Sequence, residues 1–125
     1  MDNLIGIHHT SLIVSNTQQA LQFYCGVLGM LERERAELPY PGAWLSVGGQ
    51  QIHLLELPNP DPVTGRPEHG GHDRHVALTV NNLSIIISAL ESANISYTKS
   101  RSGRPALFCR DPDGNAIEII EVAPE

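Results

Sequence analysis

The sequence predicts an α+β protein in which one βαβββ unit is used twice. Two observations carry that expectation. HTSLIV starting at His9 is matched by HVALTV starting at His75, 66 residues later (75 − 9). IHLLE starting at Ile52 is matched by IEIIE starting at Ile117, 65 residues later (117 − 52). Near-equal offsets at both ends, with the same element order between them, are the mark of an internal repeat.

Each element has its own reason. Leu4–Val14 (LIGIHHTSLIV) is apolar and β-branched and reads as a strand. Its period of two sets His9, Ser11 and Ile13 on one face. His8, Thr10, Leu12 and Val14 fall on the other, where they are expected to pack under a helix. Ser15-Asn16-Thr17 offers N-caps for that helix, and Ala20, Leu21, Tyr24, Val27 and Leu28 recur at helical spacing. Gly29 suits the position that closes it. Leu31–Leu38 reads as a strand fraying at Pro39-Tyr40-Pro41, and Gly42–Val47 as a second. Gly48-Gly49 turns the chain into a third, Gln51–Leu57, with His53, Leu55 and Leu57 on one face. Asn59–Asp73 is broken by prolines and glycines and reads as a long surface loop, its His69 and His72 in solvent.

The second half repeats the order. Arg74–Val80 is a strand, Asn81-Asn82 caps a helix, and Leu83, Ile86, Ile87 and Leu90 fit i, i+3, i+4, i+7. Asn94 ends that helix, Ile95–Lys99 is a strand, and Arg101-Ser102-Gly103 a turn. Pro105–Arg110 and Ala116–Val122 form a hairpin around Asp111-Pro112-Asp113-Gly114-Asn115, which is dense in turn residues. One domain is expected, with module one at about 4–58, a loop at about 59–73 and module two at about 74–122.

Composition excludes several classes. With 41% hydrophobic and 18% charged residues the chain is globular rather than disordered. Its 8 Lys and Arg stand against 14 Asp and Glu, a net charge of −6 that argues against a nucleic-acid partner. No apolar run reaches the length of a membrane span, and no signal-peptide pattern opens the sequence. Cys25 and Cys109 have neither metal-type spacing nor a disulfide framework, so a cytoplasmic location is expected.

The candidate site follows from the repeat. Glu118 shares a strand face with Ile120 and Val122, a costly setting for a carboxylate unless a cation or donors meet it. Within the repeat His9 is equivalent to His75, and His53 to Glu118. Two modules related by a pseudo-twofold could therefore converge all four on one point. Imidazole plus carboxylate is the ligand set of a catalytic divalent metal such as Zn, Ni, Co, Mn or Fe. Ser11, on the His9 face, and Trp44 are candidates to line the cavity. Glu56 and Glu121 lie on the opposite strand faces and are expected at the surface or facing the helices.

HHTSLIVSN, ALQFYCGVLGM, GAWLSVGGQQIHLLE, HVALTV and DPDGNAIEI together resemble the vicinal oxygen chelate superfamily, over essentially the whole chain. That superfamily includes glyoxalase I, fosfomycin-resistance transferases, extradiol dioxygenases and bleomycin-binding proteins. The resemblance implies two βαβββ modules forming a cup-shaped open barrel around a divalent metal held by His9, His53, His75 and Glu118. It implies a metal-dependent lyase or isomerase of glyoxalase type, acting on a small substrate with two adjacent oxygens. Glu118 would be both ligand and catalytic proton shuttle, a thiol such as glutathione a co-substrate, and the protein a homodimer. One departure matters: bacterial glyoxalase I carries Glu where His53 stands, leaving this site one negative charge poorer. His9, His75 and Glu118 alone are similar to the triad of the extradiol dioxygenases. A non-haem Fe(II) dioxygenase and a non-catalytic antibiotic-binding protein therefore remain alternatives.

Overall fold

The computed structural model describes residues 3–123. In each half a strand leads into a helix, and three further strands follow. The first half comprises β1 (His9–Val14), α1 (Thr17–Leu21), β2 (Leu31–Arg33), β3 (Gly42–Val47) and β4 (Gln50–Glu56). The second comprises β5 (His75–Val80), α2 (Leu83–Ser92), β6 (Tyr97–Lys99), β7 (Ala106–Arg110) and β8 (Ala116–Glu121). The strand orders are β1-β4-β3-β2 and β5-β8-β7-β6, the same permutation twice. In each sheet the first and last strands run parallel and the other pairs antiparallel. The result is an α+β fold of two four-stranded mixed sheets; among the described residues no hydrogen-bonded barrel closes.

The repeat extends to the caps. Asn16 and Asn82, 66 residues apart (82 − 16), each accept a backbone N–H from the first turn of their helix. Glu56 and Glu121, 65 apart (121 − 56), reach the same two turns from the ends of β4 and β8. Glu56 Oε1 accepts from Thr17 N at 2.8 Å and from Thr17 Oγ1 at 3.0 Å, and Glu121 Oε1 from Leu83 N at 2.9 Å. Both glutamates thus face helices. A carboxylate is stabilising there, where unpaired N–H groups and the helix dipole meet.

Four boundaries differ from those the sequence predicts. β1 begins only at His9, because β4 offers partners from Gln50 onward and the preceding residues have no strand beside them. His8 therefore lies outside the sheet and exposed, not beneath the helix, with its Nδ1 2.8 Å from His9 Nδ1. β2 stops at Arg33: it is an edge strand that pairs with β3 over three residues only. The first helix widens after Leu21 into a π-helical stretch, Gln22–Val27, closed by Leu28 N donating to Phe23 O. Gly29, at φ +82, then turns the chain toward β2.

One apolar core runs through both halves. Val14, Leu45, Ile52 and Leu54 of the first sheet join Leu107, Ile117 and Ile119 of the second, with Ala20, Tyr24 and Leu90 from the helical segments. The turn after β7 is also the joint between the halves. Asp111 Oδ2 accepts a buried hydrogen bond from Tyr24 Oη at 2.6 Å, and its Oδ1 accepts from Asp113 N and Asn115 N. Asn115 Nδ2 donates to Ile13 O, and Asp113 Oδ1 accepts from Ser15 N. Burial pushes the Asp111 carboxyl and the Tyr24 phenol above their ordinary values, the phenol well above.

Candidate functional site

With the core on one face of each sheet, the polar positions fall on the other. Across sheet one, Ser11, His53 and Trp44 sit side by side in register. Across sheet two the equivalent row is Ala77, Glu118 and Phe108. Each half thus sets an aromatic residue beside its proposed ligand. The repeat offsets predict that pairing for Trp44 and Phe108, although Phe108 has no polar atom to draw notice.

In sheet one the rings form a stack. His53 lies against Trp44 with ring centres 4.4 Å apart and against His9 at 3.9 Å, both near parallel. His53 Nε2 is 2.8 Å from Gln51 Oε1, and a carboxamide oxygen only accepts, so Nε2 carries the proton. His53 is buried, and burial together with the neighbouring His9, His8, Arg33 and Arg35 lowers its pKa from 6.5. That favours a neutral imidazole, the form that binds metal. In a stack the ring nitrogens point side by side rather than toward one point. Joint ligation by His9 and His53 would need one ring to rotate.

In sheet two the carboxylate meets its cations. Glu118 is 4% exposed, with Oε1 3.2 Å from His75 Nε2 and Oε2 3.2 Å from Arg104 Nη2. His75 Nδ1 lies 2.8 Å from the Asp73 carbonyl, which can only accept, so that nitrogen is the N–H. The Nε2 lone pair of a neutral His75 is then aimed at a carboxylate oxygen. Two acceptors at this separation require a positive partner between them, a proton or a metal ion. An N–H anchored on a backbone carbonyl, with the other nitrogen toward a carboxylate, is the arrangement of a metal-ligating histidine. The residues fit the ion.

Asp73 is itself held firmly. Arg66 Nε and Arg110 Nη1 each donate to Asp73 Oδ2 at 2.7 Å, and Arg66 Nη2 donates to Oδ1. The Arg66 guanidinium, with Arg110, holds the Asp73 carboxyl well below the usual carboxylate range. The preceding loop is less solvated than the sequence predicts. His69 caps a short 3₁₀ turn, Gly70–His72, by accepting from Gly71 N, and its ring packs 5.1 Å from Phe108. His72 is exposed. Cys109 lies in the core, where burial pushes its thiol to about 12, so it serves as neither thiolate ligand nor nucleophile.

The four expected ligands form two pairs. His9 with His53, and His75 with Glu118, are each in contact. Among the described residues no three His, Cys, Asp or Glu side chains are grouped to hold a metal ion. His9, Ser11, Trp44 and His53 line one cavity, and His75 lines another. Sequence reasoning missed Arg104 and Arg35, which approach the two pairs from irregular segments that no periodicity marks.

The arrangement defines a class. Residues 6–119 match the Glyoxalase/Bleomycin resistance protein/Dioxygenase superfamily, and the chain belongs to that family. Over 123 residues it is 30% identical to Glyoxylase I 4 of Arabidopsis thaliana, covering 94% of this chain and 71% of that protein. It is 31% identical over 124 residues to a lactoylglutathione lyase of Haemophilus influenzae, covering 92% and 91%. A crystal structure from Bacillus anthracis attributed to the glyoxalase family superposes with a TM-score of 0.80 at 26% identity, covering 97% of this chain and 98% of that one. Among the described residues no helix is long and apolar enough to cross a membrane.

Proposed function

We propose that this protein is a metal-dependent lyase or isomerase of glyoxalase type, acting on a small molecule with two adjacent oxygens. The observation that carries the reading is the orientation of His75, fixed by Asp73 so that Nε2 faces Glu118. His9, His75 and Glu118 would hold the ion, with His53 as fourth ligand after its ring turns from Gln51. When bound, a divalent metal supplies Lewis acidity toward the two oxygens and stabilises the negative charge that develops on them. Glu118 is placed to move a proton between adjacent carbons. Its carboxylate is buried, and Arg104 keeps it anionic and oriented. The relation to a lactoylglutathione lyase makes the hemithioacetal of glutathione the first substrate to assay.

The two ligand pairs are completed by a second copy, the His9–His53 pair of one protomer meeting the His75–Glu118 pair of its partner. Two such sites per homodimer result, and the absence of any three-residue group among the described residues supports this. Light scattering after size exclusion should report a dimer; a monomer sinks it. Mixing His9→Ala chains with His75→Ala chains should restore one intact site per heterodimer, although each variant alone has none.

One observation favours a second reading. The engagement of His53 Nε2 with Gln51 leaves His9, His75 and Glu118, two imidazoles and a carboxylate, which is the set of non-haem Fe(II) oxygenases. Elemental analysis of protein purified without chelator, beside His75→Ala, separates the cases. Nickel, cobalt or zinc lost in the variant supports the isomerase, and iron with oxygen uptake on catechols the dioxygenase. No metal, and none taken up on addition, leaves a binding protein.

A further inference from the structure

The cavity that holds His9 and His53 also holds an arginine without a counter-ion. Arg35 lies in the segment between β2 and β3 and lines this space of about 340 Å³ with Tyr40, Trp44 and Leu38. Its Nη2 donates to the Tyr40 carbonyl at 2.7 Å, and the guanidinium carbon lies 5.3 Å from the Tyr40 ring centre. Its Nε is buried with no hydrogen-bond partner. Arg66, Arg74, Arg104 and Arg110 each pair with an Asp or Glu, whereas Arg35 makes no ion pair among the described residues. No residue lining the cavity is acidic, in a chain of net charge −6.

A guanidinium with a buried, unpaired N–H in a carboxylate-free cavity is under-satisfied, and the group that satisfies it best is a planar oxyanion. Stacking on Tyr40 and the bond to its carbonyl hold the side chain in place before any ligand arrives, so little ordering entropy is lost on binding. The cavity is at the small end of ligand pockets. We propose that Arg35 selects the substrate by binding a carboxylate on it. The substrate class is thus a small organic acid whose carboxylate is separate from the two adjacent oxygens directed to the metal. This rests on the metal-site reading above.

The test uses two hydroxamates, which present two adjacent oxygens to a metal and differ in their tails. Acetohydroxamate is uncharged there, whereas succinic monohydroxamate carries a carboxylate. Calorimetric titration into the zinc-loaded protein should show the carboxylate-tailed compound binding at least tenfold tighter. That advantage should shrink as salt is raised. Arg35→Gln should erase it without altering acetohydroxamate affinity, and Arg35→Lys should restore part of it. Equal affinities in the unaltered protein overturn the assignment, as does an equal loss for both compounds in a folded Arg35→Gln. Succinate titrated into metal-free protein separates the two readings. Arg35-dependent binding with no metal uptake keeps the anion site while the enzymatic reading falls. Absence of succinate and hydroxamate binding alike overturns the anion site too.

Discussion

Glu118 Oε1 stands 3.2 Å from His75 Nε2, and the far nitrogen of that same ring is fixed on the Asp73 carbonyl at 2.8 Å. The pair is oriented from behind. Asp73 is held by Arg66 and Arg110, so the direction of a proposed ligand depends on a loop anchor across the sheet. This chain of contacts leads to the first two predictions.

Glu118→Gln keeps the shape of the side chain and removes its charge. Loss of an outer partner typically weakens metal binding about 10–100-fold, and loss of a ligand charge should exceed about 100-fold. Competition titration against a chromophoric chelator measures the change. Circular dichroism should remain that of the folded protein, because Ile117 and Ile119, not Glu118, face the core. Unchanged affinity would remove Glu118 from the site.

Asp73→Asn tests the anchor. The carboxyl is nine-tenths buried and makes charge-assisted bonds to two arginines, so its loss should cost about 1.5–3 kcal/mol in urea unfolding. The sign of the pH dependence is fixed by the depressed folded value. The stabilisation is fully present above the unfolded carboxyl value of 3.8 and is lost as pH falls through the lower folded one. The unaltered protein should therefore lose this increment below about pH 4. The Asp73→Asn profile should be flatter there, and parallel acid limbs would refute the role.

The fold was legible because the repeat is written in apolar spacing and caps. Leu83, Ile86, Ile87 and Leu90 announce a helix, and Asn82 is its cap as the sequence predicts. The ligand candidates were legible for the same reason, since His9 and His75 occupy one repeat position, and His53 and Glu118 another. What sets their chemistry was not. The tautomer of His75 depends on a loop carbonyl, and Arg104 reaches Glu118 from a turn. The His9–His53–Trp44 stack depends on the register between β3 and β4. Side chains on irregular segments have no period, and only the folded contacts show where they point.

Glu121→Ala and Glu56→Ala test the paired caps. Each removes a carboxylate that accepts from the first turn of a helix, and a lost cap typically costs about 0.5–2 kcal/mol. Glu56 accepts two bonds and Glu121 one, so the larger loss is expected for Glu56→Ala. Thermal unfolding of the two variants ranks them, and the reverse order would show that the second bond, to Thr17 Oγ1, adds nothing.

Trp44 is the sole tryptophan, so its emission reports on His53 alone among the histidines it stacks against. The rings are 8° from parallel with centres 4.4 Å apart, close enough for a charge on the imidazole to act on the indole. Burial and the nearby positive groups lower the His53 pKa from 6.5, so the ring is neutral at pH 7 and gains its proton only at lower pH. Emission should fall on acidification with a midpoint below 6.5, since imidazolium quenches indole more strongly than imidazole. The same displacement gives stability that is present above 6.5 and is lost as pH falls toward the folded value. His53→Gln should abolish the fluorescence step while leaving emission at pH 8 close to that of the unaltered protein. A step that persists in this variant would assign the quenching proton to another group, and a midpoint above 6.5 would mean that His53 is stabilised in its charged form by a partner not among its present neighbours.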